Sequence, residues 1–156
     1  MKDKRFKRIY QKLYAEFGQQ RWWPAKTNLE VIIGAVLTQN TSWPNVEKAI
    51  ANLRRRRLLS FKKIFKLKTT RLASLIRPAG YFNIKSKRLK NVLEFIQKKY
   101  GGNLDKMQKQ GEPELRRQLL GINGVGPETA DSIILYAFDK PAFVIDAYTK
   151  RIFSRL

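Results

Sequence analysis

The 156-residue sequence contains no cysteine and no histidine. The first absence excludes disulfides, thiolate zinc sites, iron–sulfur clusters and cysteine nucleophiles. The second leaves any acid–base chemistry to Asp, Glu, Lys or Tyr. Acids are scarce: 12 Asp and Glu stand against 33 Lys and Arg, for a net charge of +21. Between Glu47 and Glu94 there are fifteen basic residues and no acid. Long apolar runs are also missing. Val31 to Leu37 is the longest, far short of the roughly 20 residues that span a bilayer. The opening MKDKRFKRIY lacks the apolar core of a signal peptide. The expectation is a soluble, cytoplasmic protein that does not engage a membrane.

What is present supports a folded core. Apolar residues make up 43% of the chain, enough for one domain or a close pair of lobes. A field of one sign attracts polyanions, and cations that neutralise phosphates release condensed counterions. Nucleic acid is therefore the first partner to consider. A merely solvated basic surface and an anionic membrane surface are the alternatives.

The periodicity predicts an all-α fold. Phe6, Ile9, Tyr10, Leu13 and Phe17 form one face of a helix over 3–17. Residues 29–39 are apolar nearly all round, behind Asn28 as a cap, and read as the central buried helix. A strand over VIIGAVL is the alternative there. Ser42 and Pro44 start a helix to about Arg55, and Thr69 starts a short one that stops before Pro78. Ile84 to Tyr100 carries apolar residues at 89, 92, 93 and 96 and ends at Gly101–Gly102. Pro113–Leu120 is a short amphipathic helix. Pro127 opens another, with Ala130, Ile133, Ile134, Ala137 and Phe138 facing inward. Asp146 caps a last helix expected to be still running at Leu156 with Ile152 and Phe153 unspent, as in a chain truncated at its C-terminus.

GINGVGPETA, residues 121–130, joins two of these helices by a tight glycine turn. Amides of Gly124 to Gly126, pointing outward ahead of the Pro127 helix, suit an anion such as a DNA phosphate. A plain inter-helix turn is the alternative. PAFVIDAY follows, with Asp146 a lone carboxylate among apolar residues, about twenty residues after Gly126. On its own it is a helix cap or a catalytic acid.

This helix–hairpin–helix followed by VIDAY resembles the helix-hairpin-helix DNA glycosylase superfamily of the endonuclease III type. LEVIIGAVLTQNT and GYFNIKSKRL resemble further segments of that family, so the likeness runs over residues 28–156. RWWPAK, with GAVLTQNT, is most similar to the bacterial 3-methyladenine glycosylases of that type. The resemblance implies two helical lobes with a cleft between them. Residues 29–139 would form a barrel-like lobe containing the helix–hairpin–helix at 114–138. Residues 1–28 and 140–156 would belong to an incomplete terminal lobe.

Site roles follow from the same likeness. Gly124, Val125, Gly126 and Thr129 would grip a phosphate, and Asp146 would be the catalytic carboxylate. Gln39 and the loop Tyr81, Phe82 and Asn83 would wedge into the duplex. Trp22, Trp23, Pro24, Trp43 and Glu128 would line the pocket for the extruded base. Lys85, Lys87 and Arg88, together with some of the RRRR run at 54–57, would follow the DNA backbone or merely be solvated. Endonuclease III carries a lyase lysine where this chain has Glu128, and a carboxylate cannot form a Schiff base. That implies a monofunctional enzyme in which water attacks the sugar, with Lys150 facing solvent or paired with a carboxylate, or alternatively a substitute nucleophile. The implied partner is double-stranded DNA with a damaged base, bound by a monomer. No cofactor is expected, and a monovalent or divalent cation on the hairpin carbonyls is left open. The implied function is hydrolytic removal of alkylated bases such as 3-methyladenine. A glycosylase for oxidised or mispaired bases and a non-catalytic DNA-binding module are the alternatives.

Overall fold

The computed structural model describes residues 4–20 and 23–155. Among them every regular element is helical, and no helix is long and apolar enough to cross a membrane. In chain order they are α1 (Lys4–Phe17), α2 (Asn28–Leu37), α3 (Trp43–Arg55), α4 (Phe61–Lys66) and α5 (Thr69–Leu75). A single 3₁₀ turn (Arg77–Ala79) leads into α6 (Phe82–Tyr100), α7 (Leu104–Gln108) and α8 (Glu112–Leu120). Then come α9 (Pro127–Ser132), continued by a π-helical turn (Ile133–Ala137), and α10 (Ala147–Phe153).

The all-α expectation holds, and VIIGAVL is helix rather than strand. Every residue of α2 from Leu29 to Leu37 is buried. Its cap is Thr27, not Asn28: the Thr27 hydroxyl accepts from the Glu30 amide at 3.2 Å. Glu30, buried beside it, accepts from the Lys26 amide at 2.9 Å and pairs with Arg54 of α3 at 3.1 Å. The last turn of α2 is closed by a longer-range device. Lys85 of α6 is 1% exposed, and its Nζ donates to the Leu37 carbonyl at 2.9 Å and to the Ala79 carbonyl at 2.7 Å. One ammonium thus ties the end of α2 to the turn before α6.

Leu89, Val92, Leu93 and Ile96 of α6 are buried as their spacing predicts, and Gly101 ends the helix in the left-handed region at φ 63°. Short helices α4 and α7 were not foreseen, each being only about a turn and a half of sequence. The buried core runs from Leu29 of α2 to Phe138 after the π turn. Outside it, α1 leaves Phe6, Tyr10, Leu13, Tyr14 and Phe17 exposed, with the Phe6 ring 5.4 Å from that of Phe153. The last helix ends earlier than predicted, at Phe153 with Ser154 as its C-cap.

Candidate active site and nucleic-acid interface

The turn between α8 and α9 is held from three sides. Beneath it, Arg116 of α8 forms a two-point ion pair with Asp131 of α9, at 2.7 and 3.2 Å. From just past the end of α2, the Gln39 amide donates to the Gly124 carbonyl at 3.0 Å and to the Thr129 hydroxyl at 2.9 Å. From α6, Arg88 donates to the Gln39 side-chain oxygen, and Asn91 donates to the Asn123 carbonyl at 3.0 Å. Gly124 is obligatory: its φ is +94°, and a Cβ there would lie 2.3 Å from Cγ of Arg88.

These contacts revise several expectations. Val125 is buried and its amide donates to the Ile122 carbonyl at 3.0 Å, so that amide does not point outward. Among the described residues, the amides of Gly124 and Gly126 meet no acceptor. Thr129 is buried and receives Gln39 rather than facing solvent. Lys85 is withdrawn from the DNA-backbone set, because its ammonium is consumed inside the protein by two helix-end carbonyls. Lys87 is exposed, whereas Arg88 is half-buried beneath the hairpin. The carbonyls of Ile122, Asn123 and Gly124 each accept one hydrogen bond, from Val125, Asn91 and Gln39 respectively.

The turn ahead of α6 is built for projection. Gly80 and Tyr81 both have positive φ, 68° and 44°, and a non-glycine residue is strained in that region. The result is a Tyr81 side chain left 70% exposed. Asn83 is exposed too. Phe82 is instead packed against the core with the Arg77 guanidinium 5.8 Å from its ring centre, so the loop presents Tyr81 and Asn83.

Asp146 caps α10 as predicted. Its Oδ1 accepts from both the amide and the hydroxyl of Thr149, each at 2.7 Å. Glu128, in the first turn of α9, lies within electrostatic reach of it. The Glu128 carboxyl is raised above the ordinary value by burial first and by the Asp146 charge second, with Lys150 pulling the other way. Two carboxylates and one ammonium, from the hairpin helix and from α10, thus share one locality.

Among the described residues, Trp23, Trp43 and Tyr136 form one contiguous aromatic wall. Trp23 meets Trp43 edge-on at 5.4 Å and stacks on Tyr136 of the π turn at 4.9 Å. Both indoles lie over Gly34 of α2, where a Cβ would meet Trp23 at 3.3 Å and Trp43 at 3.5 Å. Tyr136 was missed from the sequence, where it reads as one polar-tipped residue in an apolar helix. Pro24 is exposed beside the wall, and Trp22 lies outside the described residues.

Comparison with known proteins agrees with this geometry. Residues 33–156 match the HhH-GPD superfamily of base excision DNA repair proteins. A protein of Methanocaldococcus jannaschii, provisionally named a DNA repair glycosylase, is 55% identical over 161 residues, covering 100% of this chain and 73% of its own. Endonuclease III of Thermotoga maritima is 32% identical over 126 residues, covering 81% of this chain and 55% of that enzyme. The structure of H. pylori 3-methyladenine DNA glycosylase bound to 1,N6-ethenoadenine is similar at a TM-score of 0.82 and 31% identity, over 97% of this chain and 72% of that one. An endonuclease III–DNA complex shares the fold at a TM-score of 0.77 and 19% identity, over 97% of this chain and 67% of that one. The braced hairpin and the carboxylates beside it therefore sit in a chain that belongs to the HhH-GPD superfamily of base excision DNA repair glycosylases.

Proposed function

We propose that this chain excises alkylated, cationic bases such as 3-methyladenine from double-stranded DNA by hydrolysis, without lyase activity. The observation that carries the reading is the pairing of Asp146 with Glu128 beside the hairpin, where a lyase would offer a lysine. Glu128 has no electron pair of amine type to attack the sugar, and its carboxyl is shifted toward the neutral form.

A base inside a duplex must leave the stack before its glycosidic bond can be reached. Tyr81, exposed on a strained turn, is the group suited to fill the gap, with Asn83 beside it. Gln39 serves the hairpin instead in the free protein. The amides of Gly124 and Gly126 suit a backbone phosphate flanking the extruded nucleotide. The exposed side of the indole wall suits the extruded ring. Stacking is worth roughly 1–3 kcal/mol per base, and a cationic ring gains about 2 kcal/mol more from a desolvated indole face.

Chemistry is then modest. The bond from C1′ to the base nitrogen breaks, and its electrons neutralise the charged base, which leaves without needing a proton. Positive charge develops on the sugar, where the Asp146 carboxylate stabilises it. Water adds to C1′ and gives up one proton, for which Asp146 Oδ2 is the available acceptor. The likeness to the alkyl-purine glycosylase structure favours this substrate class over oxidised bases.

The test is excision from a duplex containing 3-methyladenine, alongside Asp146→Asn. Base release without strand cleavage is expected, and the variant is expected to lose about 10²–10³-fold in single-turnover rate with duplex affinity retained. Strand nicking in the absence of alkali would refute the hydrolytic mechanism. An unchanged rate in Asp146→Asn would refute the role of the carboxylate.

A further inference from the structure

A cleft of about 480 Å³ opens between the end of α3 and α5, lined by Asn52, Arg55, Arg56, Arg71, Ser74 and Leu75. Among the described residues no carboxylate lines it. Of the run Arg54 to Arg57, Arg54 alone has a carboxylate partner among the described residues, and that partner is Glu30. Three guanidiniums therefore converge on one concavity without compensation, a repulsion that a bound anion would remove.

The convergence is built by the fold. The Asn52 amide donates to the Leu75 carbonyl at 3.0 Å, bridging α3 to the end of α5. The other end of the same amide accepts from Arg55. Arg55 is thereby braced with one nitrogen engaged and the rest of its fork available. Guanidinium forks match the oxygens of phosphate two at a time.

We infer that this arginine cleft binds backbone phosphates of the DNA duplex, as a contact separate from the hairpin. The inference rests on the DNA-repair reading above. Sugar-phosphate backbone fits better than a free nucleotide because, among the described residues, the lining has no aromatic side chain to hold a base and Leu75 is its only apolar member. The location fits as well. α3 packs on the 3₁₀ turn Arg77–Ala79, which leads directly to Tyr81. The cleft thus adjoins the element that presents the wedge residue, and it extends the phosphate track along the flanking duplex.

The experiment compares wild type, R55Q/R56Q/R71Q and a charge-matched control, K98Q/K106Q/K109Q, whose three lysines are exposed elsewhere. Affinity for an undamaged duplex is measured across a salt series, with melting curves confirming that all three proteins are folded. The cleft variant is expected to flatten the log–log salt slope by about 2 and to bind on the order of 10–100-fold more weakly at about 100 mM salt. The control is expected to change the slope by less than about 1. Equal loss in both variants would mean a diffuse field, and no loss in the cleft variant would mean no contact; either overturns the inference. ATP that displaces duplex from wild type but not from the cleft variant would overturn the backbone assignment in favour of a nucleotide. Wild-type protein that ignores duplex DNA at every salt concentration would instead end the DNA-repair reading itself.

Discussion

At the scale of a residue, Lys85 shows how a sequence pattern misleads. It sits in a basic stretch, KSKRLK, and by composition belongs with the phosphate-contacting cations. Its neighbour Lys87 differs from it only in helical phase and is exposed. The phase places Lys85 on the buried face of α6, where two carbonyls need a donor. Burial, then the nearby Arg88 charge, lower its pKa from 10.5 to about 8. The unfolded chain therefore holds this proton more tightly than the folded one. The stability contributed by the shift is complete above pH 10.5, and it is lost as pH falls through about 8. Lys85→Met keeps the bulk but orphans both carbonyls, so it should destabilise the protein by about 1–2 kcal/mol at about pH 7.5. From about pH 7.5 to about 10 wild type gains and the variant does not, so the gap should widen by roughly 2–3 kcal/mol. Urea melts of both proteins at the two pH values check this. A constant gap would mean that the ammonium is not desolvated.

At the scale of an element, helices α2, α6 and α8 to α10 were legible because each announces itself locally. They have apolar spacing, proline at a first turn, glycine at an end, or an acid at a cap. What was not legible is the bracing of the hairpin. Gln39, Arg88 and Asn91 reach it from positions far away in sequence, and no local rule marks an exposed-looking Gln as a strut. The stacking of Tyr136 on Trp23 was hidden for the same reason. The start of α9 offers a test of the site's electrostatics. Acids in a first helical turn are normally favoured by the macrodipole, but the Glu128 carboxyl is pushed up by burial and by Asp146. A raised folded pKa means that its contribution is complete below pH 4.5 and is lost as pH rises through the folded value. Glu128→Gln should therefore melt at a higher temperature than wild type at about pH 7, and the two should converge near about pH 4. A lower melting temperature at neutral pH would mean that the dipole and Lys150 outweigh burial and the Asp146 charge.

At the scale of the whole molecule, the net charge of +21 acts on folding and on binding in opposite directions. The folded chain crowds like charges, and only a few ion pairs offset them: Arg54–Glu30, Arg116–Asp131, and the cluster of Glu114 with Lys99 and Arg117 among the described residues. The solvent-exposed pairs of Glu114 contribute little. Self-repulsion summed over the unpaired cations outweighs them, and its range is the Debye length, about 30 Å at 0.01 M salt and 10 Å at 0.1 M. Added sodium chloride should therefore raise the melting temperature between about 10 and 300 mM, steeply at first and then levelling off, while the same titration weakens duplex binding with a steep log–log slope. Differential scanning calorimetry and fluorescence anisotropy on one preparation measure both. A melting temperature that falls with salt would show that the ion pairs outweigh the repulsion. In that case the acid-free stretch between Glu47 and Glu94 would be a stabilising feature of the free protein rather than a strain relieved by DNA.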